Sequence, residues 1–330
     1  RVIATDNSLI KVTGMIRQGE QICTVDVEKG VDKGQQTEAV NLLMGNLEND
    51  KIFKVGDRAL AVLDYSDSGI EFVNLVDHYR LDLIAYVAVA FVLVLVAFAG
   101  AIGLRSLLSF VFTILAIWKV LIPLFLMGYN PIWVGLIITI GLTVGIISLV
   151  YGYDKRSFAA ILGSSLGTLL TAVLSIVLVN AFKIHGAVMP FSESLLYSGF
   201  SNLNLTEIFT ASIFIACSGA MMDVAVDITA SVDEVIKVAP ETTRFEAIRS
   251  GVNVGRAVMG TMTTTLLLAY SGGFLWLLMV FMSQGTPLIN ILNLKYVSSE
   301  ILHTLVGSLG LVTVAPFTAL TSGYLLTRKH

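Results

Sequence analysis

From residue 83 to residue 152 the chain carries only two charged side chains, Arg105 and Lys119. A water-soluble core has no use for so long a run without charge, whereas a helix crosses the hydrocarbon of a bilayer with ~20 apolar residues. The whole chain points the same way. It is 55% hydrophobic and 14% charged, against about 25% charged in soluble domains. The expected fold class is a polytopic α-helical membrane protein with a small all-β domain ahead of its first span.

Residues 1–80 form that domain and residues 81–330 the membrane domain. Residues 21–27 alternate apolar and polar side chains, as a half-buried strand does. Residues 37–43, 53–55, 59–63 and 70–76 read as further short strands. Turns are expected at Glu28, Lys29 and Gly30, at Asp32, Lys33 and Gly34, and at Gly56 and Asp57. So many short strands suggest a small barrel or sandwich, with Gly and Asp serving turns rather than catalysis.

In the membrane domain, spans are expected at residues 83–99, 107–127, 132–150, 158–182, 205–229, 251–270 and 301–326, with Pro123 kinking the second. Residues 274–292 are a further apolar segment broken at Gln284, Gly285, Thr286 and Pro287. A proline there removes a backbone donor and clashes with the preceding turn, so this segment reads as re-entrant, giving 7–8 transmembrane segments in all. Irregular backbone survives at that depth only inside protein or beside a wet cavity, which makes Gln284, Gly285 and Pro287 gating candidates. Basic residues in short loops mark the cytoplasmic side. Arg105, the loop of Asp154, Lys155 and Arg156, and the stretch with Lys237, Arg244 and Arg249 agree on one side, and Arg328 and Lys329 join them if residues 274–292 do not cross. The β-domain is then extracytoplasmic.

The net charge of −3 and the lack of a basic patch exclude nucleic acid as a partner. The expected partners are the lipid bilayer and a small solute or ion; glycine-rich helix faces suit either packing within the chain or a homo-oligomer. No cofactor is called for. Cys23 and Cys217 fall in different domains and are not expected to form a disulfide. The chain begins at Arg1, so a signal peptide or a further span is expected ahead of it.

Ionisable groups inside a membrane are functional candidates by default. Asp223 and Asp227 stand four residues apart and share a helix face, continued by Ser212, Ala216, Gly219 and Ala220. Two carboxylates held close in a poorly solvated place repel each other, which suits one of them to exchanging a proton. The alternative is that Asp227 marks the cytoplasmic helix end and Asp223 is paired for structure. Arg249, Asn253, Arg256, Gly260, Thr263 and Thr264 form one face of the next span, with Arg256 as the expected counter-ion, although both arginines could instead snorkel to headgroups. Glu300 and His303 have an i, i+3 spacing used in helical metal sites, and equally belong to an ordinary helix start. Lys119, one turn before Pro123, could bind an aspartate. Gly163 and Gly167, and Gly307 and Gly310, form close-packing surfaces. The two segments around them are faintly alike.

Several runs are similar to the YibE/F family of bacterial multi-span membrane proteins. They are KGQQTEAVNLLMGNLENDKIFKVGDRALAVL in the β-domain, then GYNPIWVGL, YDKRSFAAILGSSLG, CSGAMMDVAVDITASVDEV, RSGVNVGRAVMGTMTTTLLLAYSGG and EILHTLVGSLGLVTVAPFTA. The resemblance implies a bacterial cytoplasmic membrane location. A weaker likeness, limited to the Gly219 and Asp223 span and the span with Thr263 and Thr264, is to resistance-nodulation-division and SecD/SecF transporters. It implies proton coupling at Asp223.

The expected function is a secondary transporter or exporter, coupled to protons or cations through intramembrane aspartates. The alternative is a non-transporting scaffold or receptor that displays the β-domain. No hydrolase arrangement is present in the sequence, so the chain is not expected to be an enzyme.

Overall fold

The computed structural model describes residues 1–66 and 69–327, so Arg328 and Lys329 lie outside the described residues. The chain divides into two compact units, Arg1–Val94 and Leu95–His330. The boundary falls inside the first long helix rather than at residue 80.

The first unit holds one six-stranded sheet, β1 (Val2–Asp6), β2 (Ile10–Thr13), β3 (Ile16–Asp26), β4 (Gln36–Met44), β5 (Ala59–Ser66) and β6 (Gly69–His78). The path runs β1-β3-β4-β6-β5, with β2 also on β3. β3 and β4 pair antiparallel from Gln18 opposite Met44 to Asp26 opposite Gln36. Val2 exchanges backbone bonds of 2.8 and 2.9 Å with Asp57 and Gly56, just ahead of β5. The two ends of the path therefore meet, and the sheet curls toward a barrel around Val2, Cys23, Val25, Ala39, Phe53, Val73 and Leu75.

Residues 53–55, expected as a strand, are not one. Phe53 is buried at 1% exposure, but its backbone bonds go to a side chain. Its N–H donates to Gln21 Oε1 (2.9 Å), and its carbonyl accepts from Gln21 Nε2 (2.8 Å). Asn41 Nδ2 braces the same amide at 3.0 Å and also bonds the Lys51 carbonyl at 2.7 Å. Two buried amides thus do the work of a ladder, because buried backbone groups must be paired by something.

Among the described residues, six helical stretches are long and apolar enough to cross a membrane: Leu81–Leu126, Pro131–Tyr151, Lys155–Ala181, Leu205–Val238, Arg244–Ser283 and Lys295–Leu326. The first combines α1 (Leu81–Ala116), a π-helical turn (Ile117–Leu121) and α2 (Ile122–Leu126). It merges two expected spans across Gly100, whose φ of 55° and ψ of −128° are not helical. A Cβ on Gly103 would stand 2.6 Å from the Leu95 carbonyl oxygen. Residues eight apart meet only if the chain turns back sharply at Gly100. The π turn sits just before Pro123. Proline cannot donate to Lys119, and the Ile122 N–H bonds instead to Ile117, five residues back.

The remaining helices are α3 (Pro131–Tyr151), α4 (Lys155–Ala181), α5 (Ser192–Tyr197), α6 (Leu205–Val238), α7 (Arg244–Ser283), α8 (Leu288–Asn293) and α9 (Lys295–Leu326). Their starts are written in the sequence. Asn130 precedes Pro131 and accepts from two N–H groups, Asp154 caps α4 and Asn204 caps α6. Thr243 and Glu246 form a capping box.

Helices α3, α4, α6, α7 and α9 pack as a bundle. Lipid tails are as apolar as the side chains, so close van der Waals fit holds such a bundle. A Cβ on Gly163 would lie 2.7 Å from Thr318 Cα, one on Gly167 would lie 2.0 Å from Val314 Cγ2, and one on Gly310 would lie 2.1 Å from Thr171 Oγ1. The two faintly similar segments of α4 and α9 are therefore pressed together, antiparallel, through their glycines. By contrast α1 is exposed on nearly all sides, with only Gly103 and Ser109 buried. A helix apolar all round is one surrounded by lipid or by protein.

α7 corrects a sequence expectation. Residues 251–270 and 274–283 are one uninterrupted helix, since Ser271, Gly272 and Gly273 do not break it; glycine is common in membrane helices. The interruption comes at its end. Gly285 has φ 68°, Thr286 N–H bonds to the Phe281 carbonyl and Gly285 N–H to that of Met282. This is the Schellman helix stop. Gln284, Gly285 and Pro287 are exposed and lead into α8.

Candidate functional site

α7 and α9 run antiparallel along their length. Near the end where α7 stops and α9 begins, three ionisable groups of these helices meet. Glu300 and His303 share a face of α9, with Nδ1 and Oε2 3.9 Å apart and side-chain exposures of 18% and 14%. The Tyr270 ring of α7 stacks on the imidazole, ring centroids 4.4 Å apart and 27° between planes. Gly307, one turn further on, makes room: a Cβ there would meet Cys217 Cβ of α6 at 3.3 Å and the Tyr270 hydroxyl at 3.8 Å.

The cluster is under-satisfied. His303 Nε2 and Tyr270 Oη are buried and have no hydrogen-bond partner among the described residues. Buried polar groups are nearly always paired, and each exception asks for an explanation. Beside them lies a cavity of about 170 Å³. It is walled by Leu267, Phe274 and Leu278 of α7 and by Val297, Ile301 and Leu305 of α9, with Glu300 as the acidic group among its lining residues. Its walls are largely apolar, with Ser271, Thr304 and Glu300 as the polar lining residues. A carboxyl, an imidazole and a phenol in apolar surroundings, beside a cavity, make a place where a proton can be held.

The metal reading of Glu300 and His303 gains no third ligand. Among the described residues no group of three His, Cys, Asp or Glu side chains gathers. Tyr270 was not singled out in the sequence. In the sequence it closes the expected span 251–270, an interfacial position that aromatic residues ordinarily take, so nothing marked it.

The residues that drew most attention in the sequence lie elsewhere. Asp223 and Asp227 sit on the outer face of α6, exposed together with Ala216, Gly219 and Ala230, while Met221, Val224, Ala225 and Ile228 fill the core behind them. Neither carboxylate has a hydrogen bond or ion pair among the described residues. Both act electrostatically on Tyr151 at the end of α3. Arg256 and Asn253 are exposed, and so is Thr264, while Thr263 is half-buried and donates to the Met259 carbonyl at 3.0 Å. The expected shared face of α7 exists, but the expected Asp–Arg pairing within the chain does not form. Gly251 and Gly255 turn inward, onto Ala319 and Ala315 of α9, and this carries Arg256 to the opposite side. Lys119 lies over the neighbouring Trp118 ring at 5.3 Å, is exposed, and has no carboxylate partner among the described residues. An unpaired charge at mid-bilayer costs ~2.5–3.5 kcal/mol on insertion scales.

At the other end of the bundle the charged loops come together. Asp233 of α6 pairs with Lys237 at 2.7 Å and with Arg156 of α4 at 3.6 Å, and Arg156 also pairs with Asp154. Arg244, at the start of α7, stands over Tyr324 near the end of α9, 5.6 Å from the ring centre.

No match was found among curated proteins or among solved structures. The family model described as YibE/F-like protein matches residues 87–328, which takes in the helical bundle and leaves the β-domain outside. With most of its length matched, the chain belongs to the YibE/F-like family.

Proposed function

We propose that this chain is a secondary transporter or exporter of a small solute or ion in the bacterial cytoplasmic membrane, driven by protons or cations, and that Glu300 with His303 is the coupling pair. The observation that carries this reading is the half-satisfied Glu300, His303 and Tyr270 cluster beside a cavity. An anchor has no need to bury three ionisable groups together and leave two of their polar atoms without a hydrogen-bond partner. On this reading the chain is not an enzyme.

The sharp turn at Gly100 separates two crossings and α7 makes one, so the helices cross seven times. The end with Arg156, Lys237 and Arg244 is cytoplasmic by the positive-inside rule. The β-domain and the Glu300 end of the bundle then face outward, and α9 finishes on the cytoplasmic side. Gln284, Gly285 and Pro287 act as a helix stop rather than a re-entrant gate.

The test uses the purified chain in proteoliposomes loaded with a pH-sensitive dye, with a potassium–valinomycin potential as the driving force. Wild type takes up protons, Glu300→Gln and His303→Asn do not, and both variants remain folded and monodisperse. Uptake at the wild-type rate in Glu300→Gln refutes the assignment. The competing scaffold or receptor reading draws on the β-domain, which has its own core. It predicts no uptake in any variant, and loss of partners on deletion of residues 1–80.

A further inference from the structure

Two outward faces of this bundle carry opposite charges that find nothing to pair with among the described residues of their own chain. On α6 the face is Ala216, Gly219, Asp223, Asp227 and Ala230, and it is flat: a Cβ on Gly219 would meet nothing within 4 Å. On α7 it is Asn253, Arg256 and Gly260, and Gly260 is equally open. Small residues let another helix come close, and polar groups among them bond across. Lipid supplies neither service to a charge.

The two faces are also matched in height. A Cβ on Gly255 would touch Ile228 Cδ1 at 3.2 Å, and one on Gly251 would touch Val232 Cγ2 at 3.1 Å. Arg256 therefore stands level with Asp227, within about one residue's rise of 1.5 Å, and Asp223 lies one turn further in. A closed assembly in a membrane has its symmetry axis along the bilayer normal, which keeps every residue of every copy at its own depth. Only groups already level with each other can pair across such an interface. Asp227 and Arg256 meet that condition, and they stand on adjacent, mutually packed helices. A two-fold axis beside the α6–α7 seam then forms the pair twice.

We infer that the α6–α7 face is the interface of a two-fold homodimer, in which Asp227 of one copy pairs with Arg256 of the other. The occupant is a second copy because the complementary charge, at the required depth, is on this chain.

The experiment labels the full chain with donor or acceptor dyes and follows energy transfer in liposomes across a dilution series in lipid. Wild type shows transfer that persists on dilution. D227R alone and R256D alone lose it. The double variant D227R/R256D regains it. So does an equal mixture of the two single variants, because each supplies the charge the other lacks. Restoration in the mixture cannot come from pairing within one chain. Three results overturn the inference: a wild type without transfer at any density, which leaves the face to a basic helix of another protein; single variants that keep full transfer; or singles that lose it while neither the double variant nor the mixture recovers.

Discussion

The seam between α4 and α9 offers the sharpest quantitative test of how the bundle is held. In Gly163→Ala the new methyl would stand 2.3 Å from Thr318 Oγ1, 2.7 Å from Thr318 Cα and 2.9 Å from Thr318 Cβ, where ordinary contact begins at 3.4 Å. The hydroxyl can rotate away. The α-carbon cannot, so the helices must part by 0.7 Å at this level. One turn along, Gly167 rests against Val314, and that contact loosens with it. Overpacking of this kind costs ~1–3 kcal/mol. For a unit of this size each kcal/mol moves the melting point by roughly 2–4 °C. The control is Gly141→Ala, where a Cβ meets nothing within 4 Å. The assay is thermal unfolding in detergent, followed by intrinsic fluorescence. Gly163→Ala should melt several degrees below wild type and Gly141→Ala at or slightly above it. Equal melting points for the two variants would show that the seam is loose and that the reasoning fails.

Other outcomes follow from the same structure. Gln21→Leu strands the Phe53 N–H and carbonyl, at ~1–3 kcal/mol for each buried group left unpaired, and hydrogen exchange at the Phe53 amide should rise by orders of magnitude while strand β4 stays protected. Gly100→Ala meets no atom, but it forces a φ of 55° and ψ of −128° on a residue with a Cβ, a strain of ~1–3 kcal/mol; a melting point unchanged from wild type would contradict it. Burial pushes the Cys23 thiol up to about 11, so a maleimide at pH 7.5 should leave it unmodified until the β-domain is unfolded. The hydrogen bond from Arg58 holds the Glu28 carboxyl below its ordinary range. A carboxylate with a depressed folded value stabilises the fold above its unfolded pKa, and that contribution is lost as pH falls through the folded one. In Arg58→Ala, carboxyl resonances should report Glu28 titrating in the ordinary carboxylate range.

Much of the scaffold was legible in the chain because its signals are local. Charge-free runs set most helix positions, alternation marked β3, and turn residues set off β4, β5 and β6. What escaped was set by contacts distant in sequence. Phe53 is buried as a strand residue would be, but its hydrogen bonds are supplied by Gln21, thirty-two residues away. Nothing local to Gly272 and Gly273 says whether a helix continues through them. The candidate site was half visible, with Glu300 and His303 marked by their spacing, and their partner Tyr270 known only once α7 and α9 are laid side by side. The spacing of Asp223 with Asp227, and of Asn253 with Arg256, showed which residues share a helix side but not what that side meets. Their orientation depends on which way Gly251 and Gly255 turn, and two outward faces look the same in sequence as two facing ones.

At about 1.5 Å per residue, the 40 residues of α7 reach about 60 Å, twice the ~30 Å of the hydrocarbon layer. Such a helix must lean or project, and packing against its neighbours decides how far it leans. Its second half, which forms one wall of the cavity beside Glu300, has few buried residues to pin it: Leu266 is the last buried position on α7. Bilayer thickness is thus expected to act mechanically on this protein, with the space beside Glu300 changing as the lipid chains shorten or lengthen.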